Sequence, residues 1–179
     1  MSPDLNTQPK ARWSVLSLLA FCLLLSMTTW FSATAVISQL KELWGLTPTL
    51  SAWLTIGVQV GFVLGAVGSS VFGLSDLISS KKLMIYGATG SALANAGILL
   101  SDGVWSAICL RILTGVFLAL VYPPALKLIA TWFTRGRGLA LGVLIGALTL
   151  GSALPHFVNA VGGLQWQLVI IATSVATAL

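Results

Sequence analysis

Long apolar stretches alternate with short polar connections along the chain. Each stretch is close to the roughly 20 residues that a helix needs to cross the hydrocarbon core of a bilayer. Charged or turn-forming residues separate the stretches, as at Lys41 and Glu42 or at Ser101 and Asp102. We therefore predict an all-α, polytopic membrane bundle of six transmembrane helices. The predicted ranges are about 13–37, 52–74, 83–100, 104–126, 139–161 and 166–179, after a cytoplasmic N-terminal tail at 1–12.

The composition excludes most classes of soluble protein. Of the 179 residues, 57% are hydrophobic and only 7% are charged, and the mean hydropathy is +0.99. A soluble domain carries about a quarter charged residues, so this chain has too few to cover a water-facing surface. The net charge of +5 does not indicate a nucleic-acid partner, because no run of Lys and Arg exceeds two residues. The bilayer is the predicted solvent.

Neither a metal site nor a catalytic centre is indicated by the sequence. Cys22 and Cys109 lie inside apolar stretches and lack the spacing of metal ligands. No cluster of His, Asp and Glu and no Gly-x-Ser-x-Gly sequence occurs at membrane depth. We expect no cofactor, no metal and no enzymatic activity.

The basic residues indicate the orientation of the chain in the membrane. With the N-terminus inside, Lys41 is the one basic residue on the outer side, and Arg111 lies within the fourth stretch. The basic residues then assigned to the cytoplasmic side are Lys10, Arg12, Lys81, Lys82, Lys127, Arg135 and Arg137. Cytoplasmic loops carry an excess of Lys and Arg. We therefore predict a cytoplasmic N-terminus in a plasma (inner) membrane.

The sixth apolar stretch is shorter than the others. Its 14 residues would reach about 21 Å as a helix, whereas the hydrocarbon core is roughly 30 Å thick. We expect the chain to be a fragment that is truncated within its sixth helix.

Three local sequences are typical of one family of membrane proteins. Residues 72–82 contain Asp76, Lys81 and Lys82, where that family has a loop of glycine, acidic and basic residues. Arg111 is followed four residues later by Gly115, and residues 132–142 are similar to the usual start of a fifth helix. On these motifs the chain, over 13–179, resembles the N-terminal half of a major facilitator superfamily transporter.

This resemblance implies a secondary transporter, a symporter or a uniporter, that moves a small solute by alternating access. It also implies a twelve-helix protein, so the expected partners are a small-molecule substrate, the lipid bilayer and a C-terminal six-helix half. One alternative stays open: a six-helix membrane subunit with a structural or partner-binding role and no transport of its own.

Arg111 is the one charged residue within the six predicted spans. These spans contain no Asp or Glu that could pair with it. A charge at such depth is costly, so it needs water, protein oxygen atoms, a carboxylate from elsewhere or an anionic substrate. The last possibility predicts that the solute is an organic anion. The alternative is that Arg111 braces the helix bundle through hydrogen bonds.

Other polar residues fall at a similar depth. Gln59, Thr29 and Trp30 lie on helices that line or flank the cavity in the resembled fold, so we predict that they bind substrate together with Arg111. Asn95 also lies at this level, but on the third helix, and we expect it to serve ordinary packing. The alternative for Trp30 is an anchor at the outer membrane interface.

Glycines recur at every fourth position on two helices, and this spacing allows another helix to approach closely. The two sets are Gly57, Gly61 and Gly65, and Gly138, Gly142 and Gly146. We predict that both serve helix packing, as sliding contact surfaces for the second half.

The loop that contains Asp76, Lys81 and Lys82 is a candidate gating loop. In one interpretation, Asp76 binds a helix N-terminus or a basic partner in one conformation only. In the other, the loop is a solvated turn whose lysines fix the topology.

Overall fold

Helices make up the regular structure of the protein. The computed structural model describes residues 9–162 and 164–179, and these contain no strand. The helices are α1 (Pro9–Ala35), α2 (Ile37–Trp44), α3 (Pro48–Val71), α4 (Leu74–Leu77), α5 (Ser80–Ala96), α6 (Val104–Leu118), α7 (Tyr122–Trp132), α8 (Arg137–Gly162) and α9 (Trp166–Ala178). The predicted all-α class is confirmed. Most of the predicted tail lies outside the described residues, and α1 already begins at Pro9.

Five helical stretches are long and apolar enough to cross a membrane. They are Ala11–Ala35, Pro48–Val71, Ser80–Leu100, Val104–Trp132 and Arg137–Phe157. The sixth predicted span corresponds to α9, an apolar helix of 13 residues. Length and composition therefore support five of the six predicted spans, and α9 is a shorter helix in the sixth position.

The fourth span is interrupted between α6 and α7. Leu120 and Val121 donate backbone hydrogen bonds to residues three positions earlier, so the helix tightens before it resumes at Tyr122. Pro123 and Pro124 then fall in the first turn of α7, where a missing N–H group breaks no helical hydrogen bond. The interruption therefore lies just before the two prolines.

The spans pack in two main pairs. Helix α3 packs chiefly against α6, and α1 packs chiefly against α8. Helices α5 and α9 pack against each other, α5 also against α6, and α9 also against α1. Helix α1 therefore has one side towards α9 and another towards α8, and this arrangement positions the candidate site.

The apolar core consists of two separate clusters. The first contains Leu16, Leu19, Leu23, Val121, Ala125, Ile129, Phe133, Ala140 and Leu144. The second contains Ala33, Val36, Leu40, Leu54, Ile98, Ala107, Ile108, Val169 and Ile170. Along α1, the buried polar residues Ser26, Thr29 and Ser32 lie between the two clusters. A polar layer therefore separates two apolar ones within the bundle.

Charged groups connect the elements at one end of the bundle. Lys127 Nζ on α7 lies 2.9 Å from Asp76 Oδ1 on α4 and donates to the Ser75 carbonyl at 2.8 Å. The guanidinium of Arg12 lies 5.6 Å from the ring centre of Phe133. This end of the bundle therefore contains the start of α1, the short helix α4 and the end of α7. It agrees with the prediction that Arg12 and Lys127 lie on the same side of the membrane.

At the opposite end, Gln39 joins α2 to the start of α9. Its Nε2 donates to the Leu164 carbonyl at 3.0 Å, and its Oε1 accepts the backbone N–H of Trp166 at 2.8 Å. The N–H of Trp166 is one of the first groups of α9, which have no acceptor within their own helix. Gln39 therefore caps α9 from a different part of the chain.

The first glycine set packs inside the bundle rather than on an outer surface. A Cβ atom added at Gly61 would overlap the Ile112 carbonyl oxygen and lie 2.7 Å from its carbonyl carbon. One added at Gly65 would lie 2.6 Å from the carbonyl oxygen of Val116. The prediction of a sliding surface on this helix was therefore wrong, because these glycines let α3 and α6 meet backbone to backbone.

The second glycine set has a different environment. A Cβ atom added at Gly138, Gly142 or Gly146 would meet no atom within 4 Å among the described residues. This side of α8 is smooth and open, so a contact with a second half stays a prediction here.

Candidate functional site

Arg111 is fully buried near the middle of the bundle, with no exposed surface. Its Nε donates to the Leu54 carbonyl at 3.2 Å, and its Nη1 donates to the Thr29 carbonyl at 2.8 Å. The Nη2 donates to the Trp30 carbonyl. One guanidinium thus joins α1, α3 and α6. The planar fork of an arginine suits this task, because its donors point in several fixed directions.

Two side chains complete the surroundings of the guanidinium. Nη1 also lies 3.4 Å from Ser32 Oγ and 3.4 Å from Asn95 Oδ1. All these acceptors are neutral, and in the described part of the chain Arg111 forms no salt bridge. Carbonyl, hydroxyl and amide dipoles satisfy the cation instead. Of the two interpretations of Arg111, the structure favours the bracing role.

Asn95 extends this group of residues to the sixth span. It is fully buried on α5, and its Nδ2 lies 2.9 Å from Ser174 Oγ and 3.2 Å from Thr173 Oγ1 on α9. Its Oδ1 accepts the Ser32 hydroxyl at 2.7 Å. We call Arg111, Asn95, Ser32, Thr173 and Ser174 the polar network. Together with its backbone acceptors, the network links α1, α3, α5, α6 and α9.

The structure separates the four predicted substrate-binding residues into two groups. Arg111 and Thr29 have no exposed surface. The Thr29 hydroxyl donates to the Ser26 carbonyl at 2.8 Å. Neither side chain offers a free face to a solute in this structure. Trp30 is half-buried and Gln59 is exposed, so these two can contact a solute.

An open side of the bundle carries rings from three helices. The Trp30 ring lies 5.1 Å from the Phe62 ring on α3, and the Phe31 ring on α1 lies 6.2 Å from the His156 ring on α8. Trp30, Phe31 and Phe62 are half-buried, and His156 is exposed. With Gln59, these residues form what we call the open face.

The open face and the polar network lie on different sides of α1. At 3.6 residues per turn, Trp30 points about 160° away from Ser32. Ser32 reaches Asn95, whereas Trp30 reaches Phe62. Helices α1 and α3 are also in contact through the hydroxyl oxygens of Thr34 and Thr55, which lie 3.3 Å apart. Helix α1 therefore has a fixed side and an accessible side.

One ion pair joins the candidate gating loop to α7. Asp76 and Lys127 form it, and their side chains are 84% and 50% exposed. Lys81 and Lys82 are exposed on the first turn of α5. The loop is therefore held to α7 by Asp76, and its gating role stays a prediction.

Sequence reasoning missed three parts of this arrangement. It assigned Asn95 to ordinary packing, although a carboxamide within an apolar helix is itself a signal of bonds between helices. It overlooked Phe31 and Phe62, because aromatic residues in apolar stretches do not stand out by composition. It did not assign His156 to the site, although the exposed ring of His156 lies 6.2 Å from that of Phe31.

Apolar spans around a buried polar layer define an integral membrane protein. The sequence model of the Major Facilitator Superfamily matches residues 19–179. The chain therefore belongs to the Major Facilitator Superfamily, whose members are transporters and not enzymes. The resemblance inferred from the three local motifs is confirmed.

Several relatives support the same class. The chain is 24% identical over 160 residues to a gallate transporter of Pseudomonas putida, with 87% of this chain and 35% of that protein covered. It is 28% identical over 161 residues to the multidrug efflux pump LfrA of Mycolicibacterium smegmatis, with 88% and 31% covered. It is 29% identical over 116 residues to the tetracenomycin C resistance and export protein of Streptomyces glaucescens, with 64% and 21% covered. The chain thus spans about a third or less of these relatives.

Proposed function

We propose that this chain is the N-terminal half of a secondary transporter. It would bind a small organic solute at its open face and move that solute across the membrane by alternating access. The observation that supports this proposal is the difference between the two sides of α1. One side is bound through Ser32 to Asn95, and the other presents the half-buried Trp30 beside Phe62. Internal hydrogen bonds suit a rigid support, whereas accessible rings suit solute contact.

The open face favours a planar solute. Trp30, Phe31 and Phe62 offer ring faces or edges, and none of the open-face residues carries a permanent charge. Gln59 adds an amide that can both donate and accept hydrogen bonds. We infer a solute with a flat, largely apolar ring system and one or two hydrogen-bonding groups.

The prediction of an organic anion now has a different basis. It rested on an Arg111 side chain without internal partners, and the acceptors at Thr29, Trp30 and Leu54 remove that argument. Its remaining support is the likeness to a gallate transporter. Two other relatives are named as an efflux pump and an export protein, so import and export are both open to test.

Alternating access requires a second helical unit opposite the open face. We propose that a C-terminal six-helix half supplies it and that the open glycines of α8 contact this half. Within the part of the chain that the structure describes, no atom lies within 4 Å of a Cβ added at Gly142 or Gly146, which leaves room for such a contact. In this arrangement, the end that carries Arg12 and Lys127 faces the cytoplasm, in agreement with the excess of basic residues there.

Transport assays on the complete protein test the proposal. The genomic reading frame after codon 179 is expressed with the chain, and uptake of labelled gallate and efflux of ethidium are measured in cells. We expect Trp30→Ala and Phe62→Ala each to raise the KM of the transported probe about tenfold, because ring contacts with the solute are lost. Trp105→Ala is the matched control, since its indole is 70% exposed near the start of α6 and outside the open face.

The outcomes separate the alternatives. Transport of gallate would support an organic anion, and transport of ethidium alone would exclude it. A wild-type KM in both ring variants would show that the open face does not bind solute. A reading frame that stops after codon 179, with a folded chain that transports neither probe, would favour the structural subunit instead.

A further inference from the structure

Asn95 occupies a position at which every hydrogen-bonding group of its side chain is used. Its Oδ1 accepts from Ser32 Oγ at 2.7 Å and from Arg111 Nη1 at 3.4 Å. Its Nδ2 donates to Ser174 Oγ and Thr173 Oγ1 at 2.9 and 3.2 Å. A carboxamide can accept two hydrogen bonds and donate two, so these four contacts occupy all its acceptor and donor sites.

The orientation of the amide is fixed by its neighbour. A guanidinium has donors and no acceptor, so the Asn95 atom beside Arg111 must be the oxygen. The nitrogen then faces α9, where the hydroxyl oxygens of Thr173 and Ser174 can accept. Asn95 therefore connects the guanidinium on α6 to the hydroxyl groups on α9.

The consequence for α1 passes through Ser32 and Arg111. Ser32 Oγ lies within reach of both Asn95 Oδ1 and the Thr29 carbonyl, at 2.7 and 2.9 Å, but it has a single proton. Because Arg111 already donates to that carbonyl, we assign the Ser32 proton to the shorter hydrogen bond, with Asn95 Oδ1 as the acceptor. Asn95 thus helps to leave the Thr29 carbonyl to the guanidinium.

We propose that Asn95 is a positioning residue for the solute site: it holds Arg111 and Ser32 so that the Trp30 turn of α1 keeps its place on the open face. This inference rests on the proposed function, because the open face is the site that Asn95 would support. Asn95 itself is fully buried and does not contact solute.

A carboxylate should be able to replace the amide. Aspartate at this position would pair with Arg111, and the Thr173 and Ser174 hydroxyls can rotate to donate to it. Leucine has a similar size but no polar group, so Ser32 would donate to the Thr29 carbonyl instead, in competition with the guanidinium. The two substitutions therefore separate the polar role of Asn95 from its volume.

The experiment measures transport kinetics of the complete protein with the probe that it moves. We expect Asn95→Leu to raise KM about tenfold with the maximal rate per folded molecule nearly unchanged, and Asn95→Asp to restore KM to within about threefold. Ser91→Ala is the matched control. Its hydroxyl is buried on the same helix, one turn away, and donates to the Ala88 carbonyl of its own helix at 3.0 Å.

A second variant covers the case in which Asn95→Leu does not fold. Thr173→Val combined with Ser174→Ala removes the two hydroxyl acceptors on α9 and leaves Asn95 with the Ile170 carbonyl, 3.4 Å from its Nδ2. We expect this variant to raise KM about threefold. A wild-type KM in Asn95→Leu, or in the double variant if Asn95→Leu is unfolded, would overturn the positioning role.

The Trp30→Ala variant distinguishes this failure from failure of the proposed function. If Trp30→Ala raises KM and Asn95→Leu does not, the open face binds solute without help from Asn95. If Trp30→Ala and Phe62→Ala both leave KM unchanged, the proposed site itself is wrong.

Discussion

Gly61 and Ile112 meet backbone to backbone where α3 crosses α6. A Cβ atom added at Gly61 would overlap the carbonyl oxygen of Ile112, and it would lie 2.9 Å from the Ile112 Cα. The relationship is reciprocal one turn away, because a Cβ added at Gly115 would lie 2.7 Å from the backbone nitrogen of Phe62. Close approach of this kind positions α3, which carries Gln59 and Phe62, against the helix that carries Arg111.

Substitution of Gly61 by alanine is expected to destabilise the bundle. The clash is with backbone atoms, which cannot rotate away, so we expect a loss of about 1–3 kcal/mol in unfolding free energy. Gly68→Ala is the matched control, since Gly68 lies on the same helix but no atom of the described residues lies within 4 Å of its added Cβ. Thermal unfolding in detergent measures both. Equal midpoints in the two variants would contradict the close packing of α3 and α6.

Arg111 provides a test between bracing and solute binding. Arg111→Gln and Arg111→Lys each remove donors to the Thr29, Trp30 and Leu54 carbonyls. We expect each variant to lose about 2 kcal/mol or more of stability, because buried acceptors lose their partners. Thermal unfolding without any solute measures this loss. A variant with a wild-type midpoint and no transport would instead indicate that Arg111 acts on the solute.

The ion pair between Asp76 and Lys127 is expected to add little to stability. Both side chains are at least half exposed, and such surface pairs are worth less than about 1 kcal/mol. Asp76→Asn should therefore leave the unfolding midpoint nearly unchanged.

The same variant tests the gating loop. If the pair forms in one conformation only, Asp76→Asn should change the maximal transport rate without changing the midpoint. The exchanged pair, Asp76→Lys with Lys127→Asp, should then recover part of that rate. An unchanged rate in Asp76→Asn would leave the loop as a solvated turn.

Gln39 is expected to stabilise the start of α9. Gln39→Leu removes the bonds to the Leu164 carbonyl and the Trp166 N–H, so we expect a loss of about 1–2 kcal/mol. Hydrogen exchange at the first residues of α9 should increase more than exchange in α6. Gln167→Leu is the matched control, because the Gln167 side chain is exposed on the first turn of α9. The same protection in both variants would show that Gln39 does not hold this helix.

Single residues of the candidate site illustrate the limit of prediction from the sequence. The depth of Arg111 in the fourth span followed from counting residues, and so did the level of Asn95, Gln59 and Trp30. Their partners did not, because a helix of known position can still rotate about its axis. A rotation of half a turn would exchange the side of α1 that carries Ser32 with the side that carries Trp30.

The sequence by itself determined the apolar helices and the family of the chain. These properties depend on local composition and on motifs within one stretch. The tertiary structure alone decided what each helix face contacts. Gly61 and Gly142 belong to sets with identical spacing, yet one set meets α6 and the other meets no described atom. Arg111 likewise acquired its acceptors only when α1, α3 and α5 packed around it, because those acceptors are distant in the chain.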